Sequence, residues 1–216
     1  MSQTNTDTLE ARITRIENTL EIQKLQNKYQ QYLSLMKTEK VLELFADHPG
    51  TTVEVADWGV HEGIAGARRF YESYVDLLKL PGNFEEHYAI CPIIEVAKDG
   101  KTAKASFYSP GLAAMAFADS QFWSWGKYLN HYMKIDGEWK IWHLRWYVIF
   151  ESTLDKGPLK EQRATIAADA TMAGKTSDFA FPPKPDKPCT FLKLYSPTDV
   201  NYLPPEPPEP FDTWDE

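Results

Sequence analysis

Apolar residues recur at three- and four-residue steps along the first part of the chain, which is the period of an amphipathic helix. The recurring positions are Leu9, Ile13, Ile16, Leu20, Ile22, Leu25, Tyr29, Leu33 and Met36. The steps slip out of phase once, near residue 21. The pattern therefore predicts either one long helix or a pair of helices over this stretch.

Shorter patterns follow. A helix is predicted at residues 39 to 46, before Pro49 and Gly50. The stretch "TTVEVADWGVHEG" predicts a strand, a turn and a second short strand, because β-branched residues alternate along it. The stretch "IAGARRFYESYVDLL" returns to helical spacing and predicts a third helix.

The middle of the chain carries long alternating runs that are typical of antiparallel strands. Strands are expected at residues 84 to 97, 101 to 109, 121 to 135 and 138 to 151. Asp136 and Gly137 predict a type I′ hairpin turn, since both of its central residues need positive φ. We expect "SPGLAAMAFADSQFW" to be a loop. The order of elements predicts an α+β fold in which one curved antiparallel sheet packs on the N-terminal helices.

The composition changes at about residue 157. Most of the fifteen prolines follow, in "FPPKPDKP" and "LPPEPPEP", which is typical of irregular or polyproline-like chain. Aromatic residues recur there as well, and a purely solvated linker would lack them. We therefore divide the chain into a domain at 1–156 and a Pro-rich extension at 157–216 that packs on the domain or on a neighbouring subunit.

The net charge of -8 and the pI of about 5.2 argue against a nucleic-acid partner, because no basic cluster is present. Cys91 and Cys189 provide neither metal spacing nor a disulfide framework. No apolar run is long enough for a membrane span, and the first residues lack the apolar region of a signal peptide. These features predict a cytoplasmic protein.

The five histidines show no close paired spacing of a zinc site. Motifs for nucleotides, dinucleotides and hydrolase nucleophiles are also absent from the sequence. We therefore expect neither a metal nor a cofactor. A neutral imidazole can both take and give a proton near pH 7, because its unperturbed pKa is about 6.5. The histidines are the candidate acid-base groups.

A two-residue turn at Asp136-Gly137 sets His131 opposite Trp142 in the predicted hairpin. His131 then shares an apolar face with Leu144 and Trp146. A histidine on such a face is either a satisfied core residue or a cavity residue, and we favour the cavity. The opposite face, which carries Tyr128, Asn130 and Arg145, is predicted to be a polar lining or a subunit contact.

Three stretches, "GVHEGIAGARRFY", "HYAICPIIEV" and "WSWGKYLNHYMKIDGEWKIWHL", resemble the SnoaL-like group of the nuclear-transport-factor-2-like superfamily. The resemblance covers about residues 10 to 155. It implies a cone of helices and curved sheet around a hydrophobic cavity. It also implies cofactor-free chemistry such as that of scytalone dehydratase, polyketide cyclases, steroid isomerases and a diarylpropane lyase that releases formaldehyde.

By the same resemblance, His87 begins the strand signature in which the histidine is often the general base. The alternative is a strand-end histidine bonded to backbone. His131 lies near the place of a second acid-base residue, and Tyr29 has the helix position of a tyrosine that reaches into the cavity. Tyr29 is otherwise a core aromatic. Ser34 stands where relatives commonly carry a catalytic Asp.

Six further residues are expected to bind the substrate: Asn130, Tyr128, Arg145, His61, Trp125 and Trp142. Structural roles are the alternatives: His61 would point into solvent, Arg145 would stack on aromatic rings for packing, and the tryptophans would fill the core. A cavity bounded by indole rings suits a flat aromatic molecule.

The resemblance and these residues predict a cofactor-independent lyase that acts on a hydrophobic aromatic small molecule, with loss of water or formaldehyde. Two alternatives stay open. One is a steroid or polyketide isomerase or cyclase that uses the same base. The other is a non-catalytic ligand-binding scaffold, which Ser34 favours. A homo-oligomer, dimer or trimer, is expected, with no nucleic-acid or membrane partner.

Overall fold

The computed structural model describes residues 8–163 and 181–214 of the chain. The helices are α1 (Leu9–Ser34), α2 (Thr38–Leu42) and α3 (Gly63–Leu78), and a 3-10 turn covers Ala116–Ala118. The strands are β1 (Thr52–Val55), β2 (Val60–Glu62), β3 (Phe84–His87), β4 (Ile90–Val96), β5 (Thr102–Met115), β6 (Ser120–Ile135) and β7 (Glu138–Thr153).

Helix α1 is continuous across the phase slip, so the alternative of a helix pair is wrong. It begins where the Thr8 hydroxyl accepts the N–H of Ala11 at 3.2 Å, which caps an otherwise unpaired donor. The apolar residues of α1 that face the core, Ile22, Leu25 and Tyr29, lie in its second half.

The strands form one curved sheet in the order β2-β1-β7-β6-β5-β3, and β4 also pairs with β5. Neighbours are antiparallel except β1 and β7, which run parallel. The helices cover the inner face of this sheet, and the apolar core lies between them. The predicted α+β fold class is confirmed.

The loop predicted over "SPGLAAM" is wrong, because β5 continues to Met115 and pairs with β6 along its whole length. Ala113 and Met115 are buried while Leu112 is 45% exposed, so the segment alternates like a half-buried strand. Small side chains concealed this alternation in the sequence.

The hairpin of β6 and β7 turns at Asp136 (φ 50) and Gly137 (φ 84), as the type I′ prediction requires. The predicted register holds only as far as the pair Tyr132 and Ile141. A β-bulge then inserts one extra residue in β7, so that His131 lies opposite His143. The predicted pairing of His131 with Trp142 is wrong.

Asn130 provides the physical reason for the bulge. Its Oδ1 accepts the backbone N–H of Arg145 at 3.0 Å, and its Nδ2 donates to Oε1 of Gln26 at 2.9 Å. The side chain thus satisfies a backbone donor of the irregular segment and ties it to α1. As a result, Leu144 and Trp146 join Asn130 in the core, whereas His131 lies on the outer face of the sheet.

The described part of the extension, residues 181–214, runs over the domain. Asp186 Oδ2 accepts the N–H of Glu62 at 2.8 Å, the N–H of Thr190 donates to Glu54 at 2.7 Å, and Lys127 donates to the carbonyl of Leu203 at 2.8 Å. Residues 164–180, 215 and 216 of the predicted extension lie outside the described residues. Within the described ranges, no helix is long and apolar enough to cross a membrane.

Candidate active site

A cavity lies between the helices and the inner face of the sheet, and His87 forms part of its wall. Its lining is mainly aromatic and includes Tyr29, Trp58, Phe70, Tyr71, Tyr74, Tyr128 and Trp146, with Glu85 and Glu151 as carboxylates. The cavity is narrow, about 30 Å³. A groove of about 430 Å³ adjoins it between α1 and the β3–β4 connection, and His87 lines this groove too.

The imidazole of His87 is paired with Glu85, two residues earlier in β3. Residues two apart in a strand point to the same face, so both side chains reach the cavity. Nε2 of His87 lies 2.7 Å from Oε1 of Glu85, and the two side chains are only 14% and 9% exposed. Nδ1 of His87 is buried and has no hydrogen-bond partner among the described residues.

Sequence reasoning missed Glu85. The signal was available, because Glu85 and His87 stand at alternate positions of a predicted strand.

Two glycines make room for the rings at this site. Gly111 lies directly opposite His87 in the β3–β5 pair, and a Cβ at that position would stand 2.4 Å from Nδ1 of His87. Trp146 contacts the His87 ring edge to face with 5.1 Å between centroids. A Cβ at Gly126 would stand 2.5 Å from the Trp146 ring. Both rings therefore lie against bare backbone.

Buried tyrosines supply hydroxyl donors beside His87. Tyr71 donates to the hydroxyl of Tyr29 at 3.0 Å, and the ring of Tyr128 contacts Tyr29 at 6.4 Å between centroids. Burial raises the pKa of Tyr29 well above its usual value and that of Tyr128 to about 12. Burial likewise raises the pKa of Tyr74, whose hydroxyl also hydrogen-bonds Glu85. These phenols are protonated donors at neutral pH.

Ser34 lies at the groove instead of a carboxylate. Its hydroxyl donates to Oε2 of Glu86 at 2.9 Å and contacts the carbonyl of Gln30 at 3.0 Å. The carboxylate that contacts His87 therefore comes from the strand, at Glu85, and not from α1.

The structure separates His131 from His87. His131 and Arg145 line a second pocket of about 380 Å³ on the outer face of the sheet, beneath Trp214. Burial lowers the pKa of His131 to about 3, and also that of His143 to about 4. The prediction of a shared cavity with His87 fails because the bulge reverses the face on which His131 lies.

Arg145 lies 3.3 Å from Glu54 through its Nε and stacks on the ring of Tyr147 at 4.2 Å. Arg145 therefore has the packing role that was the alternative to substrate binding, and it also forms an ion pair. Trp142 is buried against Trp214, with 4.9 Å between ring centroids. Neither side chain reaches the cavity that His87 lines.

Three other predicted substrate contacts also lie away from that cavity. Asn130 is fully buried, and its side chain accepts the backbone N–H of Arg145 at the bulge. His61 is fully buried against Phe70, 5.1 Å between ring centroids, so it lies neither at the cavity mouth nor in solvent. Trp125 is half-buried in β6 opposite Pro110 and Phe150. Of the predicted set, the structure brings together His87, Tyr29 and Tyr128.

No cluster of three or more His, Cys, Asp or Glu side chains with the spacing of a metal site occurs in the part of the chain that the structure describes. Glu85, His87 and the neighbouring tyrosines are the polar and ionisable side chains that meet at the cavity. This arrangement can remove a proton at the imidazole and donate hydrogen bonds to an oxygen from the phenols.

The open curved sheet packed on helices is a fold that the chain shares with nuclear-transport-factor-2-like proteins. The chain belongs to the SnoaL-like domain family, whose sequence model matches residues 14–145. Among curated proteins, no sequence matches this chain.

Several solved structures share the fold. LinA has a TM-score of 0.60 and 13% identity, covering 67% of this chain and 94% of LinA. The hexachlorocyclohexane dehydrochlorinase LinA-type3 from Novosphingobium barchaimii has a TM-score of 0.58 and 17% identity, covering 66% and 94%. A putative scytalone dehydratase from Novosphingobium aromaticivorans has a TM-score of 0.55 and 16% identity, covering 65% and 90%.

Proposed function

We propose that the chain is a cofactor-independent lyase in which His87 is the general base for elimination from a hydrophobic aromatic small molecule. The observation that carries this proposal is the buried contact of 2.7 Å between His87 and Glu85 beside hydroxyl donors. Two of the fold relatives are described as a dehydrochlorinase and a dehydratase, which both name eliminations. Since a fold alone does not fix a function, the site residues are the main support.

Glu85 has a definite part in this mechanism. As a carboxylate it accepts the N–H at Nε2, which leaves the lone pair of the neutral imidazole on Nδ1. It also stabilises the imidazolium that forms when Nδ1 takes a proton. Glu85 thus does from β3 what a carboxylate at position 34 would do from α1. The presence of Glu85 beside His87 weakens the alternative of a non-catalytic scaffold, because that alternative depended on Ser34 replacing a carboxylate.

The sizes of the two spaces support a position for the substrate. A cavity of about 30 Å³ is far below the several hundred Å³ typical of ligand pockets, whereas the adjoining groove of about 430 Å³ is in that range. We place the body of the substrate in the groove, with its reacting carbon at His87. The tyrosine hydroxyls of Tyr29 and Tyr128 are then on the inner side of the reacting atoms.

A 1,2-diaryl-1,3-propanediol is the first substrate to test. In this reaction His87 takes the proton of the primary hydroxyl, and the adjacent C–C bond breaks to release formaldehyde. The electron pair of that bond forms the C=C bond of a stilbene, and the benzylic hydroxide leaves as water with a proton from the site. The products, stilbene, formaldehyde and water, account for every atom of the diol.

The test incubates the purified protein with such diols and follows stilbene absorbance and formaldehyde together. Replacement of His87 with Gln should lower the turnover by roughly 10²-fold or more, the usual contribution of a positioned base. Glu85→Gln should lower it less, since the imidazole remains. His131→Gln, on the outer face, is the matched control and should keep the wild-type rate.

A His87→Gln variant with the wild-type rate would refute the proposal. A product of unchanged mass from a steroid or polyketide would instead establish isomerase or cyclase chemistry at the same base.

A further inference from the structure

The first half of α1 exposes a row of large aliphatic side chains. Leu9 is 69% exposed, Ile13 47%, Ile16 60% and Leu20 58%. We call these four residues the α1 stripe. Single exposed apolar residues are ordinary, but four that are contiguous on one helix face form a patch of the kind that marks an interaction site.

The α1 stripe faces away from the domain. Each helical residue advances about 100° around the axis, so the two steps from Leu20 to Ile22 turn the apolar row through about 200°. The core face of Ile22, Leu25 and Tyr29 therefore lies on the side of the helix opposite the stripe. The phase slip in the sequence marks this change of side within one continuous helix. The domain itself cannot cover the stripe across the helix.

We propose that the α1 stripe packs against the α1 stripe of a second copy of this chain, with the two helices parallel. The steps of four, three and four residues are those of a heptad seam, with Leu9 and Ile16 at d positions and Ile13 and Leu20 at a positions. Such a seam fits an identical helix, because each a or d residue then meets its own counterpart.

The charges beside the stripe select the parallel orientation. Arg12 occupies a g position and Glu17 the following e position, so a parallel pair brings Arg12 of each helix beside Glu17 of the other. This contact occurs twice by symmetry. An antiparallel pair would instead bring Glu10 towards Glu17 of the other copy, which is repulsive.

The seam spans only two heptads, so the association is expected to depend on protein concentration. In sedimentation equilibrium over a concentration series, the full-length protein should shift from monomer to dimer. The double substitution Ile13→Glu and Ile16→Glu should remain monomeric at every concentration that dimerises the wild type. Both residues are exposed, so the fold should be retained, which circular dichroism checks.

The matched control is the double substitution Leu159→Glu and Val200→Glu, which places the same two charges at apolar residues of the extension that are 69% and 97% exposed. It should dimerise like the wild type. A wild type that stays monomeric throughout, or a stripe variant that dimerises as well as the wild type, would overturn the proposal.

Charge reversal tests the orientation separately. Arg12→Glu and Glu17→Arg should each weaken the dimer several-fold, because each creates a like-charge pair, and the combination should restore it. Lys28→Glu makes the same charge change as Arg12→Glu beyond the stripe on the same helix and should have no effect. If Glu17→Arg alone tightened the dimer, the helices would be antiparallel and the proposed arrangement would be wrong.

Discussion

At the single-residue scale, the chemistry proposed for His87 depends on how its imidazole is held. Glu85 fixes one side of the imidazole, and the backbone of Gly111 lies against the other. The ring therefore occupies a slot whose width is set by the absence of a side chain at position 111. A sequence pattern can predict that His87 is a site residue, but the slot for its ring depends on which residue lies opposite His87 in the sheet. That register is not visible in either strand alone.

Gly111→Ala should consequently impair the reaction more than the fold. The new Cβ would stand 2.4 Å from Nδ1 of His87, a distance that side chains do not adopt, so the ring must move. A displacement of about 1 Å at a catalytic group can cost about 10²-fold in rate. We expect kcat/KM for the diol to fall by about that factor.

Leu112→Ala is the matched control for this prediction, since it changes the next residue of β5 on the outward side. It should leave kcat/KM unchanged. An unaltered rate in Gly111→Ala would mean that the ring has room that the structure does not indicate.

At the scale of elements, the hairpin of β6 and β7 carries the main departure from expectation. The alternating pattern and the Asp136-Gly137 turn predicted both strands correctly, because these signals are local. The bulge was not predictable, because it depends on Asn130 meeting both Gln26 of α1 and the N–H of Arg145. One inserted residue moves every later side chain of a strand to the opposite face. The error at His131 follows from this.

Asn130→Ala should destabilise the protein through the bulge. It removes the acceptor for the N–H of Arg145 and a partner of Gln26, and a buried group left unpaired costs about 1–3 kcal/mol. The free energy of unfolding, measured with urea, should fall by that amount. Tyr132→Phe is the control, because its hydroxyl donates to the same Oε1 of Gln26 at 2.8 Å, whereas the N–H of Arg145 donates to Asn130. Equal losses in the two variants would show that the bulge acceptor is unimportant.

The same hairpin predicts a pH dependence of stability. Burial lowers the pKa of His131 to about 3, with the charges of His143 and Lys104 acting in the same direction. The ordinary pKa of about 6.5 applies in the unfolded chain. Between these values the unfolded state binds a proton that the folded state does not, so stability is complete above about pH 6.5 and falls as the pH drops towards 3.

The free energy of unfolding, measured with urea from pH 7 to pH 5, should fall in the wild type, and His131 should contribute at most about 1.4 kcal/mol per pH unit to that fall. His131→Gln should reduce this slope, because one of the protons linked to unfolding is removed. An unchanged slope would show that His131 does not contribute to the acid sensitivity.

At the scale of the whole molecule, the sequence predicted the α+β fold class and a Pro-rich extension after residue 156. Periodicity and turn signals are sufficient for the fold class, and the proline content is sufficient for the extension, whereas the cone was implied by the family resemblance. The path of the extension was not predictable, since it depends on particular partners such as Glu54 for Thr190 and Arg69 for Asp186. These contacts place residues 182–214 on the domain but away from the lining of the His87 cavity.

A chain that ends at Phe181 should therefore lose stability and keep its chemistry. It retains Arg163, which pairs with Glu151 at the cavity, and Phe181, which packs on Trp58 at 4.9 Å between ring centroids. It loses the N–H and hydroxyl that bind the buried carboxylate of Glu54, at about 1.5–3 kcal/mol for each hydrogen bond to a charged group.

A chain that ends at Pro210 is the graded control, because it keeps Thr190. The urea midpoint should fall in the order wild type, Pro210 chain, Phe181 chain, while kcat for the diol stays constant. If the Phe181 chain folds but has no activity, the extension contributes to the active site directly, and the assignment of the chemistry to the domain alone is wrong.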